Sequence, residues 1–330
     1  METQLRPLSL GEILDRTAQL YRTNFPLFAG IAAVYAGSLL AVGLVQVGLQ
    51  EALRAVQHAS WTVALNIAFI GVQSLLMFLL GGLAVAANNR AVAWVHLGEP
   101  ATIRGAYASV WPRLSTYLWL MTIIAFVLWT PLAVCYGGFA AVAFSWYRPL
   151  AHAANGAAAD PQATILFGML GLVFFALAFA AIVYAVLMGL RYALAVPACV
   201  VEQIKARAAL KRSIELSKGS RGRIFVLGLL CLVIQLGLSG IGQSFFIALV
   251  VKDHGQLPAW ARVLQLIVAF LTNSFLAPIY ATGLTLFYYD ERVRKEGYDI
   301  VRMMEAVGMA APVVAPVVGD LESGAERGPE

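Results

Sequence analysis

The sequence predicts an all-α integral membrane protein with six transmembrane helices, on three observations. Mean hydropathy is +0.77, and 60% hydrophobic against 12% charged residues lies far outside the range of a soluble domain. Six apolar runs, about 26–49, 61–87, 114–147, 163–190, 224–251 and 261–288, are each long enough to cross about 30 Å of hydrocarbon. Backbone polar groups find no water there, so these runs must be helical. Third, the 23 Lys and Arg residues are unevenly placed. The seven segments outside the runs carry 3, 1, 3, 1, 8, 2 and 5 in order, with Arg262 at the mouth of the sixth run counted with the loop before it. Lys and Arg stay on the cytoplasmic side, so both termini and segments 88–113, 191–223 and 289–309 are expected inside. The net charge of +5 then reflects loops facing anionic lipid headgroups and does not point to nucleic acid.

Residues 1–25 precede the first run and carry Arg6, Glu12, Asp15, Arg16 and Arg22. A signal-peptide h-region starts earlier and is shorter, so the first run is expected to act as an uncleaved anchor. Ser9 and Glu12 have capping-box spacing, and Leu8 with Ile13 matches a hydrophobic staple. Leu10, Ile13, Leu14, Thr17, Tyr21 and Phe25 recur at helical steps, predicting an amphipathic helix on the inner leaflet or on the helix bundle. A second is expected before the third run (Ile103, Tyr107, Val110, Leu114). A third is expected before the fifth (Ala206, Ala209, Leu210, Ser213, Ile214, Ser217), with Gly219 as its stop. Three interfacial helices, each feeding a transmembrane hairpin, suggest a threefold repeat of one unit, although residue identity between the copies is low.

Within the runs, Ala29, Ala33, Gly37 and Ala41 form a small-residue stripe that permits close helix approach. Thr130–Pro131 should bend the long third run. Trp61, Trp146, Tyr147 and Trp260 mark outer ends, and Trp94, Trp111, Tyr288 and Tyr289 lie near the inner face, as an aromatic belt. Residues 310–330, rich in Pro and Gly, read as a disordered tail.

Three segments carry a family resemblance. The first is Arg6-Pro7-Leu8-Ser9-Leu10-Gly11-Glu12-Ile13-Leu14-Asp15-Arg16 with Leu20-Tyr21-Arg22-Thr23-Asn24-Phe25. The second is Ala209-Leu210-Lys211-Arg212-Ser213 with Ser217-Lys218-Gly219, and the third runs from Tyr288-Tyr289-Asp290-Glu291-Arg292 to Asp299. Together they resemble the bacterial polytopic domain named the glycerophosphoryl diester phosphodiesterase membrane domain. The resemblance implies a fold and a bacterial cytoplasmic-membrane location. It does not imply phosphodiesterase activity, because in that family the chemistry belongs to a separate soluble barrel with acids, a His pair and a metal. No segment outside the runs is long enough to be such a barrel, and His58, His96, His152 and His254 are scattered.

No catalytic site is read from the sequence. It has no GxSxG, no HExxH and no Gly-rich loop followed by Lys-Ser or Lys-Thr. Cys135, Cys199 and Cys231 are isolated, without CxxC or His at ligand spacing, so no metal site and no cofactor are expected. No charged residue falls well inside a run, which argues against a proton-driven carrier. The densest polar cluster inside a run is Thr272, Asn273 and Ser274, four residues before Pro278. It either lines a cavity at a broken helix or, as is preferred here, hydrogen-bonds between helices. Asp290 with Arg294 and Glu291 with Lys295 are i,i+4 pairs that carry the last helix onward, and Gly297 is a stop. Arg292, Arg294, Lys295, Lys211, Arg212 and Lys218 are the candidate docking groups for lipid phosphate or an acidic partner; the alternative is a solvated anchor. The expected role is therefore a non-enzymatic membrane scaffold or accessory module at the cytoplasmic face, its partners membrane lipids or a membrane or cytoplasmic protein. The alternative is a carrier for a small or amphipathic solute, marked by a water-accessible midplane cavity near Asn273 and Pro278. Homo-oligomerisation is left open.

Overall fold

The computed structural model describes residues 7–53, 59–154, 161–252 and 257–306, and these are helical with no strand among them. In chain order the helices are α1 (Leu10–Thr23), α2 (Phe25–Leu53), α3 (Ala59–His96), α4 (Ile103–Val110), α5 (Leu114–Ala154) and α6 (Pro161–Tyr192). Then come α7 (Ala195–Val201), α8 (Ala206–Ser217), α9 (Arg221–Lys252), α10 (Ala259–Glu296) and α11 (Tyr298–Ala306). Six helices are long and apolar enough to cross a membrane. Each contains one of the six apolar runs.

Local signals account for several boundaries. The capping box at the start of α1 forms, with the Ser9 amide donating to Glu12 Oε2 at 2.7 Å and the Glu12 amide to Ser9 Oγ at 3.3 Å. Gly297 ends α10 in the left-handed conformation (φ 61°), and Gly219 (φ 87°) follows α8. Two helices overrun their apolar runs by two turns or more at the end that carries most of the basic residues. α3 continues to His96, and the turn at Gly98 (φ 78°) then ends the helical path. α10 continues to Glu296, so its 38 residues extend about 57 Å, nearly twice the hydrocarbon thickness.

That excess length builds the core. Every residue of α10 from 281 to 291 is buried, polar ones included. Around this stretch pack α1, the end of α3, α7, the end of α8 and the start of α9, and a second cluster joins α1, the starts of α2 and α5, the end of α3, α4, α7 and α8. The core thus sits at one end of the molecule, which also carries most of the basic residues and is called here the basic end. α7 was not foreseen; its Ala-Val-Pro-Ala-Cys-Val-Val sequence packs into the middle of that core.

Two belt assignments are corrected. Tyr288 and Tyr289 are not lipid-facing anchors, because they are 0% and 2% exposed inside the core. Trp111 and Trp260 are exposed at the two ends. The side chains of Trp61, Trp146 and Tyr147 lie outside the described ones, as does the tail 310–330.

Chain segments α1 and α2 together run antiparallel to α10 over its length. Leu8 meets Asp290, Thr17 faces Gly283, Tyr21 and Phe25 meet Phe275, Gly37 and Gly43 face Phe270 and Leu266, and Glu51 pairs with Arg262. α1 therefore lies on the bundle. The tight face of α2 is Phe28, Ala29, Ile31, Ala32, Ala36 and Gly43 and only partly follows the expected stripe, since Ala41 is exposed. α2 and α3 pair closely, as do α5 and α6, while α6 barely meets α9. On α9 all seven residues from Leu232 to Leu238 are exposed.

Candidate functional site

The basic end holds two connected ion-pair clusters, and both start from the Tyr-Tyr-Asp-Glu-Arg segment of α10. In the first, Asp290 and Glu291 have side chains only 0% and 1% exposed. Unpaired carboxylates there would be prohibitive. The i,i+4 pairs expected from the sequence form, Asp290 with Arg294 at 2.9 Å and Glu291 with Lys295 at 3.1 Å. Arg223, from the start of α9, reaches both acids, at 3.0 and 3.3 Å. The backbone of Leu8 closes the cluster. Its amide donates to Asp290 Oδ1 at 2.7 Å, and its carbonyl accepts from Arg223 Nη2 at 2.9 Å and from Arg294. Lys295 also donates to the carbonyls of Leu216 and Lys218, capping the end of α8.

The second cluster centres on Glu202, just after α7. Its carboxylate accepts from Arg212 Nε at 2.9 Å and from the Tyr288 hydroxyl at 2.7 Å. Arg212 also pairs with Glu296, and Arg292 bonds Glu296 at 3.1 Å while lying 4.1 Å over the Tyr298 ring. Burial alone would lower the pKa of the Arg212 guanidinium, but Glu202 and Glu296 outweigh it and hold the group above its ordinary value. Arg212 is thus fixed as a cation in a structural role.

Of the six candidate docking residues, four are therefore engaged within the molecule: Arg292, Arg294, Lys295 and Arg212. Lys211 and Lys218 face outward without an ion pair among the described residues. Lys205, Arg207 and Arg221, also exposed and unpaired, stand on the same α8–α9 corner. No local signal separates the two groups, because inward and outward cations alternate along one basic segment.

The polar cluster of α10 is divided. Asn273 donates to its own helix at Ala269 (2.8 Å) and lines a groove of about 330 Å³ between α2, α3 and α10, with Gln73 and Ser74 opposite. Ser274 is buried without a hydrogen-bond partner among the described residues, and Thr272 is half-buried. A second groove of about 210 Å³ shares Met77 with the first and reaches Asn88, whose Oδ1 is buried with no partner among the described residues. Pro278 leaves the Ser274 carbonyl without its helical donor, and at the next residue Tyr21 donates to the Phe275 carbonyl at 2.6 Å. Burial pushes the Tyr21 hydroxyl up to about 12.

Elsewhere the polar residues of the spans do join helices. Asn66 accepts from Gln46 and Gln50, Gln265 donates to Gln243, and Arg262 reaches Gln50 and Glu51 at the end opposite the basic one. No group of three or more His, Cys, Asp or Glu of metal-binding arrangement occurs among the described residues. His96 is buried against Tyr289, with ring centroids 5.0 Å apart. Cys199 donates to the Ile204 carbonyl at 3.3 Å.

No family model matches the chain, and neither does any curated protein or solved structure. The resemblance drawn from the three motifs therefore rests on those motifs.

Proposed function

We propose that the protein is a non-enzymatic membrane scaffold that gathers anionic lipid, or an acidic partner protein, at its basic end. That end faces the cytoplasm of a bacterial cell, with both termini inside. The observation that carries this reading is the contrast between inward and outward cations. Arg212, Arg223, Arg292, Arg294 and Lys295 lock α7, α8, α9 and α10 into one platform. Lys205, Arg207, Lys211, Lys218 and Arg221 are left outward on it with no acid paired to them among the described residues. Juxtamembrane cations of this kind attract the negative inner leaflet at about 1 kcal/mol each.

The repeat belongs to the same proposal. α1 docks on α10, α4 on α2 and α3, and α8 on α6 and α5, so each short helix sits on the hairpin preceding its own, cyclically. This supports three interfacial helix-plus-hairpin units arranged around a pseudo-threefold axis. Superposition of the three units onto one another is the check.

The decisive experiment is extraction in native-lipid nanodiscs, followed by mass spectrometry of co-purifying lipids and proteins. Wild type is expected to carry an enriched anionic lipid or a stoichiometric partner. A triple Lys205→Glu, Lys211→Glu, Lys218→Glu variant should lose it. Identical lipid and protein complements in the two would remove the scaffold reading. The grooves lined by Asn273, Gln73, Ser74 and Asn88 favour the second reading, a carrier. Retention of a single small solute, lost in Asn273→Leu, would favour it over the scaffold.

A further inference from the structure

A third cavity, of about 180 Å³, lies at the basic end where α3 and α5 meet. It is lined by Arg90 of α3, Ser109 of α4, Arg113 and Tyr117 at the start of α5, and Gln203 of the α7–α8 turn. Unlike the guanidinium groups of the ion-pair clusters, those of Arg90 and Arg113 have no carboxylate partner among the described residues. Arg90 is half-buried over the Trp94 ring at 5.1 Å, and Arg113 donates to the Gln203 carbonyl. Tyr117, 4% exposed, has its hydroxyl within electrostatic reach of both. Arg90 is a partly buried cation without a counter-charge, which is costly, and the exposed Arg113 adds a second guanidinium at the mouth of the pocket, a pair that an anion would satisfy.

Two further features point the same way. Gln203 is the only non-glycine among the described residues with a positive φ, 54°. Side chains disfavour that conformation, and such strain collects at ligand clamps; here Arg113 holds the strained peptide at the pocket wall. Trp94 lies under the Arg90 guanidinium, and the exposed Trp111 comes between the lining residues Val110 and Pro112, as tryptophans do at headgroup level. Arginine forks match the oxygens of a phosphate, and a phenol adds a third donor.

We propose that this pocket binds a phosphate group, carried either on the headgroup of an anionic phospholipid or as free phosphate. The inference deepens the scaffold reading by naming the group taken up at the basic end, yet it uses residues separate from the outward Lys cluster.

The test uses the full chain in detergent with two probes, phosphatidylglycerol followed by native mass spectrometry and labelled inorganic phosphate followed by equilibrium binding. One of the two is expected to bind, with affinity falling about tenfold or more, the equivalent of about 1.4 kcal/mol, in Arg90→Gln and in Arg113→Gln. Lys211→Gln should bind like wild type. Lipid retained against excess inorganic phosphate identifies the headgroup as the source, and phosphate binding without lipid identifies the free ion. Unchanged binding of both probes in folded Arg90→Gln and Arg113→Gln overturns the pocket. So does a loss confined to Lys211→Gln, which would move the binding to the outward cluster and leave the scaffold reading standing. Should the glutamine variants fail to fold, Arg90→Lys and Tyr117→Phe replace them, and unchanged binding in both of these overturns the proposal equally.

Discussion

At the residue scale, Asp290 is the most consequential position. Its carboxylate is fully covered and is shared by Arg223, Arg294 and the Leu8 amide, so one side chain joins α9, α10 and the segment before α1. A buried pair adds little over a hydrophobic substitute, but removing one partner strands the others, at about 3–5 kcal/mol. Asp290→Ala is therefore expected to lower unfolding stability in detergent by about that amount. Asp290→Asn, which keeps an acceptor for the Leu8 amide, should lose less. A loss under about 1 kcal/mol for Asp290→Ala would place the pair with ordinary surface bridges and remove the cluster as a structural clamp. The i,i+4 spacing of Asp290 and Arg294 was readable, and the bond is present. Its burial was not readable, because nothing local says that Arg223, 67 residues away, comes back to the same carboxylate.

At the element scale, the six long helices follow from apolarity, which marks where hydrocarbon covers a helix and not where the helix stops. α3 passes straight through Asn88, Asn89 and Arg90 because its backbone hydrogen bonds are indifferent to side-chain polarity. The close approach of α2 and α10 is a second case. A Cβ on Gly43 would lie 2.6 Å from Leu266 Cδ2, whereas one on Gly48, a turn further on the same helix, would meet nothing within 4 Å. Gly43→Leu is expected to destabilise by about 1–3 kcal/mol through overpacking. Gly48→Leu should be neutral or slightly stabilising, since leucine is the better helix former. Thermal unfolding of the two variants in the same detergent separates these outcomes, and equal melting temperatures would show that α2 and α10 are not held by this contact. The expected stripe anticipated Ala29 and Gly37, but Gly43 escaped it because helix crossing, set by α10, shifts the contact off a strict four-residue step.

At the scale of the whole molecule, packing is lopsided. α2 lies along α10 for most of its length, α3 meets α5 over a shorter stretch, and α6 and α9 scarcely touch. The bundle is tied at its basic end by the ion-pair clusters, and at the other by Arg262 with Glu51 and Gln50. Between these ends the outer surfaces of α5, α6 and α9 are apolar and exposed, from Phe126 and Trp129 to Leu172, Phe175 and Ile241, which only lipid or another apolar surface satisfies. The distribution of Lys and Arg sets the expected direction of insertion, with the basic end inside. Lys211 and Lys252 stand exposed on helices at opposite ends of the bundle and serve as reporters. In a chain whose Cys135, Cys199 and Cys231 are replaced by Ala, Lys252→Cys should react with a membrane-impermeant maleimide in intact cells. Lys211→Cys should react only after the cells are opened. The reverse pattern would invert the molecule, turn its basic platform to the outside, and take away the anionic leaflet on which both the scaffold reading and the lipid arm of the arginine pocket depend. Labelling of both residues in intact cells would instead show that the two ends share one side, which six crossings of the bilayer do not permit.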